Sequence, residues 1–340
     1  MTPTDRDVER MSRPLPRRLP GSRNRPRARL ELYAGSAAIL VVGVGLFVLL
    51  RGKGPAEVST RLSPLSASPS DQLRDAVSAA PWRFREMLAA DARDDGYVSV
   101  TVHVALAQAA DGVPARFGDG AAPGHNLYWG ALFGVETHLL NAAGWRRVYT
   151  DSGDGAGVIR RVVAHRRSEA TASWRALGVE DQFDVFVLAN AWPAERIRDA
   201  MGGPIRDAFG DRPLALSVDG VERAFGSASA ISGYVGADGL AEDYWDVFAD
   251  LGPKAPRPVG VFYVSAHSAT YLHRAVVEHG LYPVLFVREP IIPEAYVVEG
   301  ILDALLAGDV GDAFVSQAGR RYSEYQSAIS RQRAERMFFR

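Results

Sequence analysis

The 340 residues contain no cysteine. That excludes disulfides, cysteine-ligated zinc, iron–sulfur clusters and any thiol nucleophile, and it is compatible with either side of a membrane. Lysine is nearly absent too: Lys53 and Lys254 are the only two among 39 basic residues, a compositional bias toward Arg rather than a chemical feature. No internal repeat is visible. The chain also lacks a basic globular part. The formal net charge is −1, but residues 1–31 hold nine Arg against four acids, leaving 30 basic and 36 acidic residues to 51–340. A mildly acidic body argues against nucleic acid as a partner, because phosphate binding needs a basic face. His103, His125, His138, His165, His273 and His279 show no i, i+4 pairing with an acid of the kind that reads as zinc, so no metal is expected. No cofactor is expected either.

What is present begins with "LYAGSAAILVVGVGLFVLL", residues 32–50, a run of 19 uncharged residues closed by Arg51 and Lys53. At about 1.5 Å per residue it spans about 28 Å, close to the hydrocarbon core of a bilayer. A buried core helix of this length would be expected to carry a polar face. A cleaved signal peptide would have a shorter apolar stretch and a small-residue cleavage site before Pro55. The reading is a transmembrane helix that partners the lipid bilayer. The Arg-rich flank, residues 1–31, then stays in the cytoplasm as a disordered tail too polar to build a core. The expected location is a bacterial inner membrane, crossed once, with the main domain extracytoplasmic.

Residues 51–70 are small, polar and proline-broken, and read as a linker. The α/β domain is expected over 71–340, opening with helices within 71–93. Strand patterns follow at 97–107, 145–150, 157–167, 183–192, 213–220, 228–236, 257–268 and 282–289. Helical patterns fall at 126–143, 193–209, 269–280, 293–307 and 309–336. Near-continuous apolar strands alternating with helices predict a three-layer sandwich with a mostly parallel sheet.

Ligand sites in such sheets lie beyond the carboxyl ends of the strands. Four of these ends stand out. The first strand runs into a glycine-dense loop, 116–126, ahead of a helix for which Asn126 is an N-cap candidate. With His125 and Trp129 nearby, this end fits either an anion or nucleotide sensor or a turn shaped by glycine with its aromatics packed inward; no Lys or Ser/Thr phosphate signature accompanies it. "ISGYV" ends at Gly236-Ala237-Asp238-Gly239. "VGVFYV" ends at Ser265-Ala266-His267-Ser268. "YPVLFV" ends at Arg288-Glu289. Ser265 or Ser268 with His267 and Asp238 is a possible serine-type hydrolase set, although the spacing fits no Gly-x-Ser-x-Gly elbow. The other reading of these residues is a serine N-cap beside an incidental histidine.

Together "YVGADGLAED" and "VFYVSAHSATYL" resemble two adjacent strand ends of the caspase-like cysteine peptidases, the clostripain and gingipain groups among them, in a bacterial membrane-anchored branch. There the first strand ends in a glycine-flanked histidine and the second in a small residue followed by cysteine. "NLYWGALFGV", "PVLFVREPIIPEAYVVEGIL" and "YSEYQ" extend the likeness, which covers about residues 97–335. The resemblance implies that Ala237 occupies the histidine position and Ala266 the cysteine position. A methyl group neither attacks a carbonyl nor protonates a leaving amine, so the implied protein is a pseudo-peptidase that binds a peptide or protein partner. Gly236, Asp238, Gly239, Arg288 and Glu289 would line its cleft, with Tyr128, Trp129, Tyr234, Tyr244, Trp245 and Tyr271 supplying either ligand contacts or core filling. One departure stands out: Asp238 intervenes before Gly239, whereas the caspase pattern has glycine directly after the histidine.

Overall fold

The computed structural model describes residues 82–109, 113–154, 157–240 and 245–340. The basic tail, the apolar run 32–50, the linker and the helix expected at 71–79 lie outside the described residues, as does Tyr244. Among the described residues no helix is long and apolar enough to cross a membrane.

A helix over 82–90 leads through the π-helical turn Asp91–Asp95 and left-handed Gly96 into the first strand. The strands are β1 (Tyr97–Ala105), β2 (Arg146–Asp151), β3 (Arg160–Glu169), β4 (Gln182–Trp192), β5 (Pro213–Val218), β6 (Val221–Gly226), β7 (Ile231–Val235), β8 (Gly260–Val264), β9 (Tyr282–Val287) and β10 (Phe338–Phe339). Eight form one sheet in the order β10-β9-β8-β7-β1-β4-β3-β2. Its centre, β9-β8-β7-β1-β4, is parallel, while β10 and the β3–β2 pair add antiparallel edges. The ladder between β2 and β3 shifts register between Arg147 and Tyr149.

Successive side chains of a strand point to opposite faces, and β1 shows what that does here. Val98, Val100, Val102 and Val104 enter one dry core with Phe84, Leu88, Ile301, Leu305 and Phe314. That face is covered by the helices over 82–90, Ala295–Ala307 and Asp312–Tyr325. The alternate positions Ser99, Thr101 and His103 are equally buried yet polar. They meet the helix Ile197–Phe209 and the separate β5–β6 hairpin. The layers are therefore helix, sheet and helix-plus-hairpin, an α/β architecture with a mostly parallel sheet.

Two backbone positions shape the polar side. At Gly203 a Cβ would stand 2.7 Å from the His103 ring, so this helix approaches β1 only because the residue is glycine. The β5–β6 hairpin turns at Asp219-Gly220, both with positive φ (50° and 78°), as a tight two-residue hairpin turn requires.

Several elements differ from the sequence reading. The helix expected over 126–143 is reduced to Val135–Asn141, preceded by turns. Helix 269–280 divides into Ser268–Tyr271 and His273–Glu278, and helix 309–336 into Asp312–Tyr325 and Arg331–Met337. Strands β6 and β10 are additions.

Candidate functional site

Strands β7 and β8 are parallel neighbours and finish together, Val235 opposite Val264. The ladder runs one step further, with the Gly236 N–H donating to the Val264 carbonyl at 3.3 Å. Beyond it the carbonyl of Ala237 accepts two hydroxyls, Ser265 Oγ at 3.2 Å and Tyr234 Oη at 3.0 Å. The Ala237 and Ala266 segments are thereby tied at adjacent tips, and both alanines are half-buried. Gly236 has no room for a side chain, because a Cβ would lie 2.4 Å from Tyr234 Oη. Gly239 packs closely against Ile197 and Met201. Asp238 Oδ1 accepts the Leu240 N–H at 3.1 Å, a local turn of the kind short acidic side chains make. Burial, with a smaller contribution from the Asp238 charge, raises the pKa of the nearby Tyr271 phenol.

The residues of the possible serine-type hydrolase set are already engaged. Ser268 Oγ donates to the Tyr263 carbonyl at 3.0 Å and accepts the Val287 N–H at 2.9 Å, so it fastens β8 to β9 with its proton and a lone pair. Ser265 spends its proton on Ala237. His267 sits in the left-handed region, φ 56°, and its Nδ1 pairs with the Arg288 carbonyl at 3.1 Å. Among the described residues neither serine is hydrogen-bonded to His267, and a base must reach the proton it removes. The serine-hydrolase set has no geometric support.

Arg288 and Glu289 serve the C-terminus. The Arg288 guanidinium lies 4.3 Å over the Phe339 ring, and its backbone N–H donates to the Met337 carbonyl at 2.8 Å. Glu289 is ion-paired to Arg333.

The loop after β1 also folds on itself. Asn126 is not an N-cap. Its Oδ1 accepts the N–H groups of Ala107 (3.0 Å) and Tyr128 (3.1 Å), and its Nδ2 donates to the carbonyls of Ala107 (2.9 Å) and Asp119 (3.0 Å). All four capacities of the amide are used. Trp129 is fully buried and donates to Glu136 Oε2 at 2.6 Å, and Glu136 also holds Arg147 and Arg160. His125 is exposed in the short turn Pro123–His125. Tyr128 and Trp129 pack inward, as do Tyr234 and Tyr263 on the other face.

One buried polar cluster has no local sequence signature. His103, dismissed as a zinc ligand, joins Asp207, Ser232 and Trp192 in the interior. His103 Nε2 lies 2.8 Å from Asp207 Oδ2, Ser232 Oγ donates to the same oxygen at 2.7 Å, and Trp192 Nε1 donates to His103 Nδ1 at 3.2 Å. Four elements supply these groups, so no local spacing announces them. The available signal was the polar alternation Ser99, Thr101, His103 within an otherwise apolar strand. No group of metal-binding type is found among the described residues. No protein-family model, curated protein or solved structure matches the chain.

Proposed function

We propose that this chain is a membrane-anchored, catalytically inactive caspase-like module that binds a peptide or protein segment at the tips of β7 and β8. The observation that carries the reading is the join between those tips. Ala237 and Ala266 sit on adjacent parallel strand ends fastened through Ser265 Oγ and the Ala237 carbonyl, the layout a histidine–cysteine pair would need. The absence of cysteine from the whole sequence removes the thiolate on which that chemistry depends. The apolar run 32–50, with its Arg-rich flank, supplies the anchor.

Rebuilding the pair tests the reading. In the full chain, Ala266→Cys introduces a thiol, and Ala237→His with Ala266→Cys adds an imidazole beside it. An adjacent imidazolium lowers a thiol pKa from about 8.5 into the range of about 3.5–7.5, so alkylation at about pH 6 by iodoacetamide is expected to be at least tenfold faster in the double variant. Identical pH profiles for the single and double variants would mean that the positions do not form a paired corner. Peptide hydrolysis by the unmodified chain would reject inactivity outright. Alkaline carbonate extraction separates the anchoring half of the proposal, since deletion of 32–50 is expected to release the chain from membranes.

A further inference from the structure

Beneath the polar face of the sheet lies a cavity of about 230 Å³, bounded by β1, β3, β4, the end of the helix Ile197–Phe209 and the β5–β6 hairpin. It is separate from the β7–β8 tips and its argument is independent of the function proposed for them. At its floor is Asp207, 2% exposed. Oδ2 of that carboxylate takes both available donors, His103 Nε2 and Ser232 Oγ. Oδ1 has no hydrogen-bond partner among the described residues. It lies near Gly226, another lining residue, which the left-handed backbone (φ 61°) and the Arg212 carbonyl, 2.1 Å from where a Cβ would stand, require to be glycine.

An indole N–H can only donate. Trp192 Nε1 therefore meets His103 Nδ1 as an acceptor, which leaves Nε2 to face Asp207. Arg161, the buried cation of the cavity, is taken by Asp154 and by Asn190 Oδ1, with Asp151 at 3.8 Å. Arg212 makes no ion pair among the described residues. Its guanidinium lies 4.7 Å over the Trp192 ring at the cavity wall. The exposed carboxylates Asp154 and Asp211 also line the space, so its carboxylates outnumber its guanidiniums.

A carboxylate oxygen that faces a cavity without a protein donor is well placed to receive a cationic nitrogen, the strongest class of donor to it. An unpaired guanidinium facing the same space suits a carboxylate. We infer that this cavity binds a small zwitterion of the α-amino-acid class, its ammonium on Asp207 Oδ1 and its carboxylate on Arg212. Asn190, whose Oδ1 holds Arg161, also lines the space.

The test uses the full chain in detergent, with thermal unfolding and calorimetric titration against each of the twenty protein amino acids. At least one is expected to bind and raise the unfolding temperature. Its methyl ester, which lacks the anion, and its N-acetyl form, which lacks the cation, are each expected to bind at least tenfold more weakly. Arg212→Gln removes a half-buried side chain that makes no ion pair, so it should fold, and it should erase the difference between acid and ester. Asp207→Asn should erase the difference between the free and acetylated amine; should it fail to fold, the Arg212 comparison alone decides. No binding by any of the twenty, or an acid–ester difference unchanged by Arg212→Gln, overturns the assignment. Neither result bears on the thiol chemistry at residues 237 and 266.

Discussion

Asp207 and Glu294 are buried alike, 2% and 1% exposed, and their surroundings could hardly differ more. Asp207 ends a helix on the polar side of the sheet and receives His103 and Ser232 on one oxygen. Glu294 precedes the helix Ala295–Ala307 on the dry side, near Tyr296 and Tyr322, and neither of its oxygens has a hydrogen-bond partner of good geometry. Burial pushes the Glu294 carboxyl up to about 8, against a weaker opposing pull from the Tyr296 hydroxyl. The lesson is that depth alone does not decide what an acid does in a fold. The supply of donors decides it: one acid is the node of a network, and the other is held as a protonated, nearly apolar group at neutral pH.

The comparison breaks hardest at Asp207. Asp207→Ala strands the His103 N–H and the Ser232 hydroxyl in the interior, and a loss of about 3–5 kcal/mol is expected from denaturant unfolding. A loss under about 1 kcal/mol would mean that the network contributes little.

Glu294 sharpens the contrast through pH. Its folded pKa is raised above the ordinary carboxylate value, so its contribution to stability is complete below about pH 4.5 and is lost as pH rises toward about 8. Each unit of difference is worth about 1.4 kcal/mol, which makes the swing a few kcal/mol. Glu294→Gln removes that slope: the two proteins should unfold at similar denaturant concentrations at about pH 4, with the variant the more stable at about pH 8. The subtraction also cancels the other groups nearby, among them Glu299, whose pKa is lowered by His138 and Arg321 in spite of burial. Parallel curves at all pH values would show that Glu294 is not held protonated.

The smallest effect is expected at Ser232. Ser232→Ala removes one of two donors to Asp207 Oδ2 and leaves His103 in place, for about 1–2 kcal/mol. A loss as large as that of Asp207→Ala would move the centre of the network from the acid to the hydroxyl.

Much of the architecture was legible from residue patterns. The five parallel strands each announce themselves as an apolar run, and β2 and β3 overlap the strand patterns at 145–150 and 157–167. Strand β6 was not read, although Asp219-Gly220 ahead of it is a strong hairpin signal. Val221, Glu222 and Arg223 look like a polar connection because one side of that hairpin faces solvent. The helix expected from 126 is cut short by its own first residue: the Asn126 amide holds Ala107 and Asp119 in a turn, the competition short polar side chains bring to a helix. At the strand tips the positions of Ala237 and Ala266 follow from where two apolar runs stop. The cluster around Asp207 could not be read this way. His103 and Asp207 are 104 residues apart, and only the packing of one helix across β1 brings them together.

The borders of the main sheet carry a different consequence. A long, flat outer strand invites pairing with another molecule. Here one border is β2, where exposed Arg146 and Arg147 precede a break in register, and the other is β10, two residues long and ending one short of the C-terminus. Charge and irregularity blunt the first border, and brevity blunts the second. Neither gives a second copy of the chain an even run of backbone to extend, so the domain guards against edge-to-edge aggregation where the chain crowds.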